Sequence, residues 1–182
     1  MSKGIQDIDN FPLDFSDGEP SDEGEKCILE WDKILTKSSV IYEYAHEKYR
    51  RAQEKYDRVS FLFTSIVTFT TALLAGSVFG DANDDIVKAM TAITVMSSTL
   101  ATIVSGYSHL IGLPKTVEIL HNHLIDVQNL SAEIFTRKNM PQELRLDAAS
   151  FTTMNAGRFT KIMKSSPRLK KEDYVEAEKA IK

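Results

Sequence analysis

The chain has 182 residues, a single cysteine, a net charge of −4 and a mean hydropathy of −0.22. This length favours one domain with a modest core, and one thiol excludes an internal disulfide. Charge is unevenly distributed, because residues 1–26 carry eight acidic side chains and two lysines, which leaves the remaining chain at +2.

The acidic N-terminal segment, residues 1–26, is predicted to be a disordered tail, because it combines charge, proline and glycine. It lacks the apolar h-region of a cleavable signal peptide. Phe11, Leu13 and Phe15 interrupt the acidic residues and form a candidate docking motif for a partner. The alternative is a solvated tail in which these side chains have no function.

A long amphipathic helix is predicted next, with a cytoplasmic stem over residues 27–58. Apolar and small side chains follow each other at steps of three and four, which is typical of coiled-coil packing. Two tyrosines near the end of the stem suit a membrane interface. The repeating positions are Leu35, Ser38, Tyr42, Ala45, Tyr49, Ala52, Tyr56, Val59 and Phe63.

Two long segments, residues 59–79 and 89–113, contain no Asp, Glu, Lys or Arg. Each reaches the roughly 20 residues needed to cross a hydrocarbon core of about 30 Å. The eleven Val, Ile, Leu and Phe residues of the first segment contribute about −3 to −7 kcal/mol to insertion, which offsets its hydroxyls. The alternative is a buried hairpin in a soluble protein, but soluble core helices normally keep a charged face. We therefore predict two transmembrane helices joined by a short non-cytoplasmic loop over residues 80–88.

The charges that flank the two spans predict their orientation. The loop at 80–88 has one lysine beside three aspartates, whereas five positive side chains precede the first span. The positive-inside rule therefore makes the chain an integral membrane protein with both termini cytoplasmic. The five residues are Lys48, Arg50, Arg51, Lys55 and Arg58.

Small residues form a stripe along each predicted span. In lipid, such stripes let helices approach closely and let hydroxyls bond across the contact. One interpretation is packing within the hairpin or between subunits. The other is a water-filled pore, which requires a homo-oligomer because two crossings cannot enclose a lumen. These helix-packing or pore-lining residues are Thr64, Thr68, Ala72, Gly76 and Gly80 in the first span, and Thr94, Ser98, Ala101, Ser105, Ser108 and Gly112 in the second.

Three histidines are candidate functional groups. His109 lies near the cytoplasmic end of the second span, where a titratable group is a functional candidate by default. A simpler interpretation is an interfacial histidine beside Tyr107. His121 and His123 are two residues apart on a predicted helix and point to different faces, so we expect no metal site and no cofactor.

The chain after the second span is predicted to be helical. Pro114 is placed to begin a second cytoplasmic stem, residues 114–138, whose apolar seam should pack on the first stem or on neighbouring subunits. Residues 142–182 should form further cytoplasmic helices, one over about 142–164 and one over about 171–181. The fold class is therefore all-α, a membrane hairpin with long cytoplasmic helices packed as a helical bundle. One face of the helix at 142–164 is expected to carry Leu144, Ala148, Phe151, Phe159 and Ile162.

Basic residues at two places are candidates for contact with anionic lipid headgroups. A solvated helix end is the alternative, and nucleic acid is not expected because no recognisable binding motif is present. The chain also lacks a phosphate-binding loop, a G-x-S-x-G elbow and an H-E-x-x-H helix, so we expect no enzyme and no catalytic residue. The candidate headgroup residues are Arg50, Arg51 and Arg58 in the stem, and Arg158, Lys161 and Lys164 near the carboxyl terminus.

Three segments together resemble the SLATT group of two-span membrane domains, over roughly residues 27–175. They are the basic stem "YEYAHEKYRRAQEKYDR", the helix "VEILHNHLIDVQNLSAEI" after the spans, and the distal "RFTKIMKSSP". The resemblance implies a pore-forming or membrane-perturbing effector of biological conflict systems, coupled to proteins that make or sense nucleotide signals. It implies no catalytic residues. Because the sequence shows no attached sensor domain, we expect a cytoplasmic sensor partner.

Two functions remain open from the sequence. The first is an oligomeric membrane effector, in which packed stems hold several hairpins around a conducting lumen. The second is a non-conducting structural protein that anchors a scaffold, such as a viral capsid, to a bilayer. The hydroxyl stripes favour the first, whereas the acidic tail and the lack of a sensor domain favour the second.

Overall fold

A computed structural model describes residues 20–75 and 84–181, with side chains for 23–75 and 84–179. The described residues form α-helices and one 3-10 turn, without a strand, so the all-α prediction is confirmed. Residues 1–19, 76–83 and 182 lie outside this description, and with them Phe11, Leu13, Phe15, Gly76, Gly80 and the first four residues of the predicted loop. The helices are α1 (Pro20–Ala75), α2 (Asp84–Leu110), α3 (Leu113–Asn139), α4 (Ala148–Lys164) and α5 (Lys171–Ile181).

Helix α1 begins at Pro20, which places residues 20–26 in a helix instead of a disordered tail. Tertiary contacts explain this difference. A Cβ atom on Gly24 would lie 2.7 Å from the Cβ of Ala148, so the helix backbone packs directly on the start of α4. The next residue, Glu25, accepts a hydrogen bond of 2.7 Å from the guanidinium of Arg137. These two contacts hold the beginning of α1 in place.

The second predicted span does not reach residue 113 as one helix. Helix α2 ends at Leu110, and Gly112 adopts a left-handed conformation with φ of 69° before α3 begins at Leu113. The N–H of Gly112 donates to the carbonyl of His109 at 3.0 Å, as expected where a glycine ends a helix. At the other end α2 starts at Asp84, so residues 84–88 are helical and not part of a loop.

One compact unit comprises residues 20–38 and 127–166 and is called the Trp31 unit below. Trp31 stacks on Phe159 with 4.6 Å between ring centroids. Helix α4 begins at Ala148, not near residue 142, because the Asp147 carboxylate caps it by accepting the Ser150 N–H at 2.9 Å. The core is formed by Ile28, Trp31, Leu35, Val127, Leu130, Ile134, Ala148, Phe151 and Ile162.

The predicted apolar face of the helix at 142–164 is therefore correct only from Ala148 onwards. Ala148, Phe151 and Ile162 are buried and Phe159 packs against them, whereas Leu144 is 74% exposed in the 3-10 turn Gln142–Leu144. By contrast, the predicted helix at about 171–181 is confirmed by α5.

The second compact unit comprises residues 39–75, 84–126 and 167–181 and is called the hairpin unit. In this unit the earlier part of α1 runs alongside the first half of α3, and the C-terminal part of α1 runs alongside α2. Ring contacts show the antiparallel direction, since Tyr56 meets Tyr107, and His46 meets His121. Of the predicted seam of α1 in this unit, Ala45 is fully covered, Val59 is exposed and the other members are partly buried, whereas Leu120 and Leu124 of α3 are buried.

Candidate functional site: the membrane hairpin and its polar groove

Two helices of the hairpin unit are long and apolar enough to cross a membrane. Only 6% of the most apolar 18-residue window of each helix is buried. Large apolar side chains point outward along both, among them Phe61, Leu62, Phe69, Met96 and Ile103. A core helix of a soluble protein has the opposite pattern, because its apolar residues are the covered ones.

Hydroxyl side chains form the contact between the two helices. The Thr94 hydroxyl donates to the Thr70 hydroxyl at 2.7 Å, and Thr70 in turn donates to the carbonyl of Ile66 at 2.9 Å. Thr70, Ser97 and Ser108 are the buried residues of this contact. Such small polar residues permit close approach of two helices in lipid.

The predicted stripe of α1 does not lie in this contact. Thr64, Thr68 and Ala72 are exposed, because a strict four-residue step drifts around a helix of 3.6 residues per turn. The contact instead continues the three–four alternation of the stem, in which Phe63 leads to Thr70. Thr70 was not predicted as a contact residue, although the heptad register of Tyr49, Tyr56 and Phe63 leads to it.

The predicted seam of α2 divides into two stripes. Thr94, Ala101 and Ser108, seven residues apart, face α1 and are partly or fully buried. Ser98 and Ser105, on the same helix, are exposed. Gly112 belongs to neither stripe, because it lies in the turn after α2.

An open groove runs along one side of the hairpin and has a volume of about 470 Å³. Hydroxyl groups and small residues from both helices line it, and His109 lies at its end. Gly106 leaves space in the groove, since a Cβ atom there would meet nothing within 4 Å. The structure therefore brings three predicted residues, Thr64, Ala101 and Ser105, together with Ser60, Thr102 and Gly106, which the sequence analysis missed.

Several of the exposed hydroxyls along both helices are bonded to their own backbone. Thr64 donates to the Ser60 carbonyl at 2.9 Å, and Thr102 donates to the Ser98 carbonyl at 2.9 Å. Ser65, Thr68 and Thr99 make the same bond to the carbonyl four residues earlier. Each hydroxyl proton is satisfied in this way, which lowers the cost of placing the side chain in acyl chains.

Three of the five basic residues that precede the first predicted span, namely Arg50, Arg51 and Arg58, pair with glutamates of α1. Arg50 forms ion pairs of 2.8 Å with Glu47 and with Glu54, and Arg51 pairs with Glu47 at 2.7 Å. Arg58 lies 3.7 Å from Glu54. Their guanidinium groups stay partly exposed, so contact with headgroups remains a prediction. In the Trp31 unit, α4 carries the other three predicted headgroup residues, Arg158, Lys161 and Lys164.

A polar cluster, called the Lys48 cluster, holds α5 against α1 in the hairpin unit. The Lys48 ammonium lies 2.7 Å from Asp173 and 2.7 Å from Glu176, and the Tyr49 hydroxyl donates to Asp173 at 2.8 Å. Asp173 is only 3% exposed. Burial raises the pKa of this carboxyl group, but the hydrogen bonds from Lys48 and Tyr49 leave the pKa below its usual value. Burial and the Asp173 carboxylate raise the pKa of Tyr49 to about 12.

The histidines of the stem lie in separate pairs. His46 lies 5.3 Å from His121 between ring centroids, and His123 packs edge-on against Tyr42 at 4.4 Å. Burial lowers the pKa of His46 and of His123, and His121 lowers that of His46 further. Within the described part of the chain, no group of three or more His, Cys, Asp or Glu side chains is arranged to hold a metal ion.

Comparison with protein-family models gave no match, and comparisons with curated proteins and with solved structures gave none either. The function must therefore be inferred from the residues and their geometry.

Proposed function

We propose that this chain is an integral membrane protein whose α1–α2 hairpin crosses a bilayer twice and assembles with further copies into a membrane-permeabilising effector. Both termini are cytoplasmic in this proposal, because the five basic residues before the first span outnumber the single Lys88 after it. The resemblance to SLATT domains supports the same assignment.

The observation that carries the proposal is the exposure of the two apolar windows, of which only 6% is buried. Exposed apolar area of this extent is costly in water, at roughly 25 cal/mol per Å². Acyl chains remove that cost, and a hairpin satisfies its backbone hydrogen bonds internally within them. A bilayer is therefore the environment in which this surface is stable.

The polar groove supports assembly of several hairpins. It places hydroxyls and Gly106 on a surface that a single hairpin would present to lipid. Small and hydroxyl-bearing surfaces are typical of helix–helix contacts in membranes. Several copies that turn this groove toward a common axis would line a lumen with hydroxyls, which two helices alone cannot enclose.

A second candidate function is a non-conducting membrane anchor for a scaffold. The back-bonded hydroxyls, such as Thr64 and Thr102, favour this alternative because they need neither water nor a second hairpin. The two functions differ in one measurable property, which is leakage of solutes through the membrane.

Release of an entrapped dye from vesicles containing the purified full chain tests the proposal. Thr102→Leu fills the groove, and Thr99→Leu is its matched control. Both threonines are exposed on α2 and back-bonded at 2.9 Å, but only Thr102 lines the groove.

We expect dye leakage from the wild type and near-wild-type leakage from Thr99→Leu. Leakage from Thr102→Leu should be lower by roughly tenfold or more, because one changed helix contact is worth about 1.4 kcal/mol. Vesicles that contain the wild-type protein and do not leak would contradict the effector and favour the anchor.

A further inference from the structure

A cleft in the hairpin unit lies between α1, the beginning of α3 and the segment that precedes α5. Its volume is about 250 Å³. One molecule of liquid water takes up roughly 30 Å³, so the cleft can hold a phosphate together with a glycerol backbone. The residues that shape it are Tyr49, Thr116, Ile119, Leu120, Arg168 and Leu169.

The cleft lies close to the proposed membrane interface. The ring pair of Tyr56 and Tyr107, with centroids 5.9 Å apart, is of the kind that marks the headgroup level. Tyr49 precedes Tyr56 by seven residues, which corresponds to about 10 Å along the helix. Lipid headgroups extend beyond the hydrocarbon core by about 5–8 Å on each side. The cleft therefore opens at the cytoplasmic edge of the headgroup layer, about 2–5 Å beyond it.

The chemistry of the cleft is basic at its rim and apolar at its base. Arg168 is exposed and makes no hydrogen bond or ion pair with any residue that the structure describes. Arg50 and Arg51 differ from Arg168 in this respect, because both are paired with a glutamate on α1. Ile119 and Leu120 supply the apolar wall. Lys115 and Lys170 lie next to cleft residues in the sequence and add positive charge, and Glu118 is the acidic neighbour of Ile119.

The carboxylate of Asp173 does not compete for Arg168. Asp173 is buried and already accepts hydrogen bonds from Lys48 and Tyr49. No acidic side chain is among the residues that line the cleft. A guanidinium with open donors binds a phosphate through two parallel hydrogen bonds, which an ammonium cannot do.

From these observations we propose that the cleft binds the headgroup of an anionic glycerophospholipid of the adjacent leaflet, with the phosphate on Arg168 and the glycerol against Ile119. The inference rests on the proposed membrane hairpin and deepens it by naming a lipid class. Because the segment at 167–169 leads directly into α5, a bound lipid would also stabilise the docking of α5 on the Lys48 cluster.

Native mass spectrometry of the full chain in neutral detergent, titrated with phosphatidylglycerol or phosphatidylcholine of the same acyl chains, tests this proposal. The variants are Arg168→Gln, which removes the charge, and Ile119→Trp, which fills the cleft. Lys179→Gln is the control, since Lys179 is an exposed base on α5 that does not line the cleft. Soluble glycerol 3-phosphate serves as the competitor.

We expect the wild type to bind phosphatidylglycerol about tenfold more tightly than phosphatidylcholine, as one charge-assisted contact implies. Both cleft variants should remove this preference, and Lys179→Gln should keep it. Equal binding of the two lipids, or an unchanged preference in Arg168→Gln, would overturn the proposal. Displacement by glycerol 3-phosphate at equal concentration would overturn it in favour of a soluble phosphate ligand.

Failure of the proposed function can be distinguished from failure of the lipid site. If the chain stays monodisperse in buffer without detergent and does not enter vesicles, the membrane hairpin is wrong and the lipid site fails with it. If the chain requires detergent but shows no lipid preference, only the lipid site fails.

Discussion

In the Trp31 unit the largest fully buried side chains are apolar, whereas along the two apolar helix segments of the hairpin the buried residues carry hydroxyls. Ile28, Leu35 and Ile134 are completely covered in the former. Thr70, Ser97 and Ser108 are the covered residues of the latter, and its large apolar side chains point outward. The same chain thus follows the burial rule of a water-soluble core in one region and reverses it in another. Under the proposed function, this contrast corresponds to two different solvents, water and acyl chains.

The largest expected effect is on the free energy of unfolding when an apolar side chain is truncated in each of the two regions. Ile134→Ala should lower the free energy of unfolding of the Trp31 unit by about 2–5 kcal/mol, because it opens a cavity in a packed core. Val95→Ala, an exposed position of the hairpin, should have little effect on the same quantity. Denaturant unfolding in detergent, followed by the fluorescence of the single tryptophan, measures both. Equal losses would remove the contrast.

A charge placed on an exposed apolar position should be tolerated in one region only. Ile103 in the hairpin is 59% exposed and Phe135 in the Trp31 unit is 68% exposed. Ile103→Arg should cost about 2.5–3.5 kcal/mol of membrane insertion, whereas Phe135→Arg should cost none. The fraction of protein that resists extraction by alkaline carbonate reports the difference. A fully resistant Ile103→Arg protein would argue against lipid contact at this position.

Asp173→Asn should loosen α5 by about 1–3 kcal/mol, because it weakens the hydrogen bonds from Lys48 and Tyr49 to a buried carboxylate. Hydrogen exchange of the backbone amides of residues 171–181 measures this opening. Lys179→Gln is a suitable control, since Lys179 lies on the same helix and is exposed. Unchanged exchange rates in Asp173→Asn would show that the Lys48 cluster does not hold α5.

The same cluster predicts how docking of α5 depends on pH. The folded-state pKa of Asp173 is lowered, so its contribution is complete above the ordinary carboxyl pKa of about 4 and is lost as pH falls through the folded value. The pKa of Lys48 is raised, chiefly by its hydrogen bond to Asp173, so its contribution is complete below about pH 10 and is lost at higher pH. After correction for intrinsic exchange, protection of α5 should therefore be constant from about pH 5 to 9 and fall outside that range.

The smallest expected effect concerns the contact within the hairpin. Thr70→Val keeps the shape of the side chain and removes the hydrogen bond from Thr94, which should cost about 0.6 kcal/mol. Thr68→Val is the matched control, because Thr68 is exposed and bonds only to the Thr64 carbonyl. Unfolding in mixed micelles compares the two. A Thr68→Val protein that is the less stable of the two would contradict the assigned contact face.

Much of the fold could be predicted because its signals are local. The apolar period and the flanking breakers placed the second stem at 114–138 and the last helix at 171–181, close to α3 and α5. The start of α1 could not be predicted in this way. It depends on the close approach of Gly24 to Ala148, and these residues are far apart in the sequence.

The candidate site was predicted only in part, for a related reason. The stripes follow residue size, which includes Thr94, Ala101 and Ser108, the partly or fully buried positions of α2, but not Thr70. Arg168 could not be distinguished from other basic residues, because its lack of a partner among the described residues and its place in the cleft depend on the packing of three separate segments.

The most direct test of the membrane hairpin compares one position from each region with a spin label. Cys27→Ser removes the only cysteine, and Phe69→Cys or Phe135→Cys then supplies a single attachment site. In vesicles, a label at residue 69 should be relaxed by oxygen and hardly by a water-soluble nickel chelate, and a label at residue 135 should show the reverse. Equal access of the nickel chelate to both labels would contradict the account.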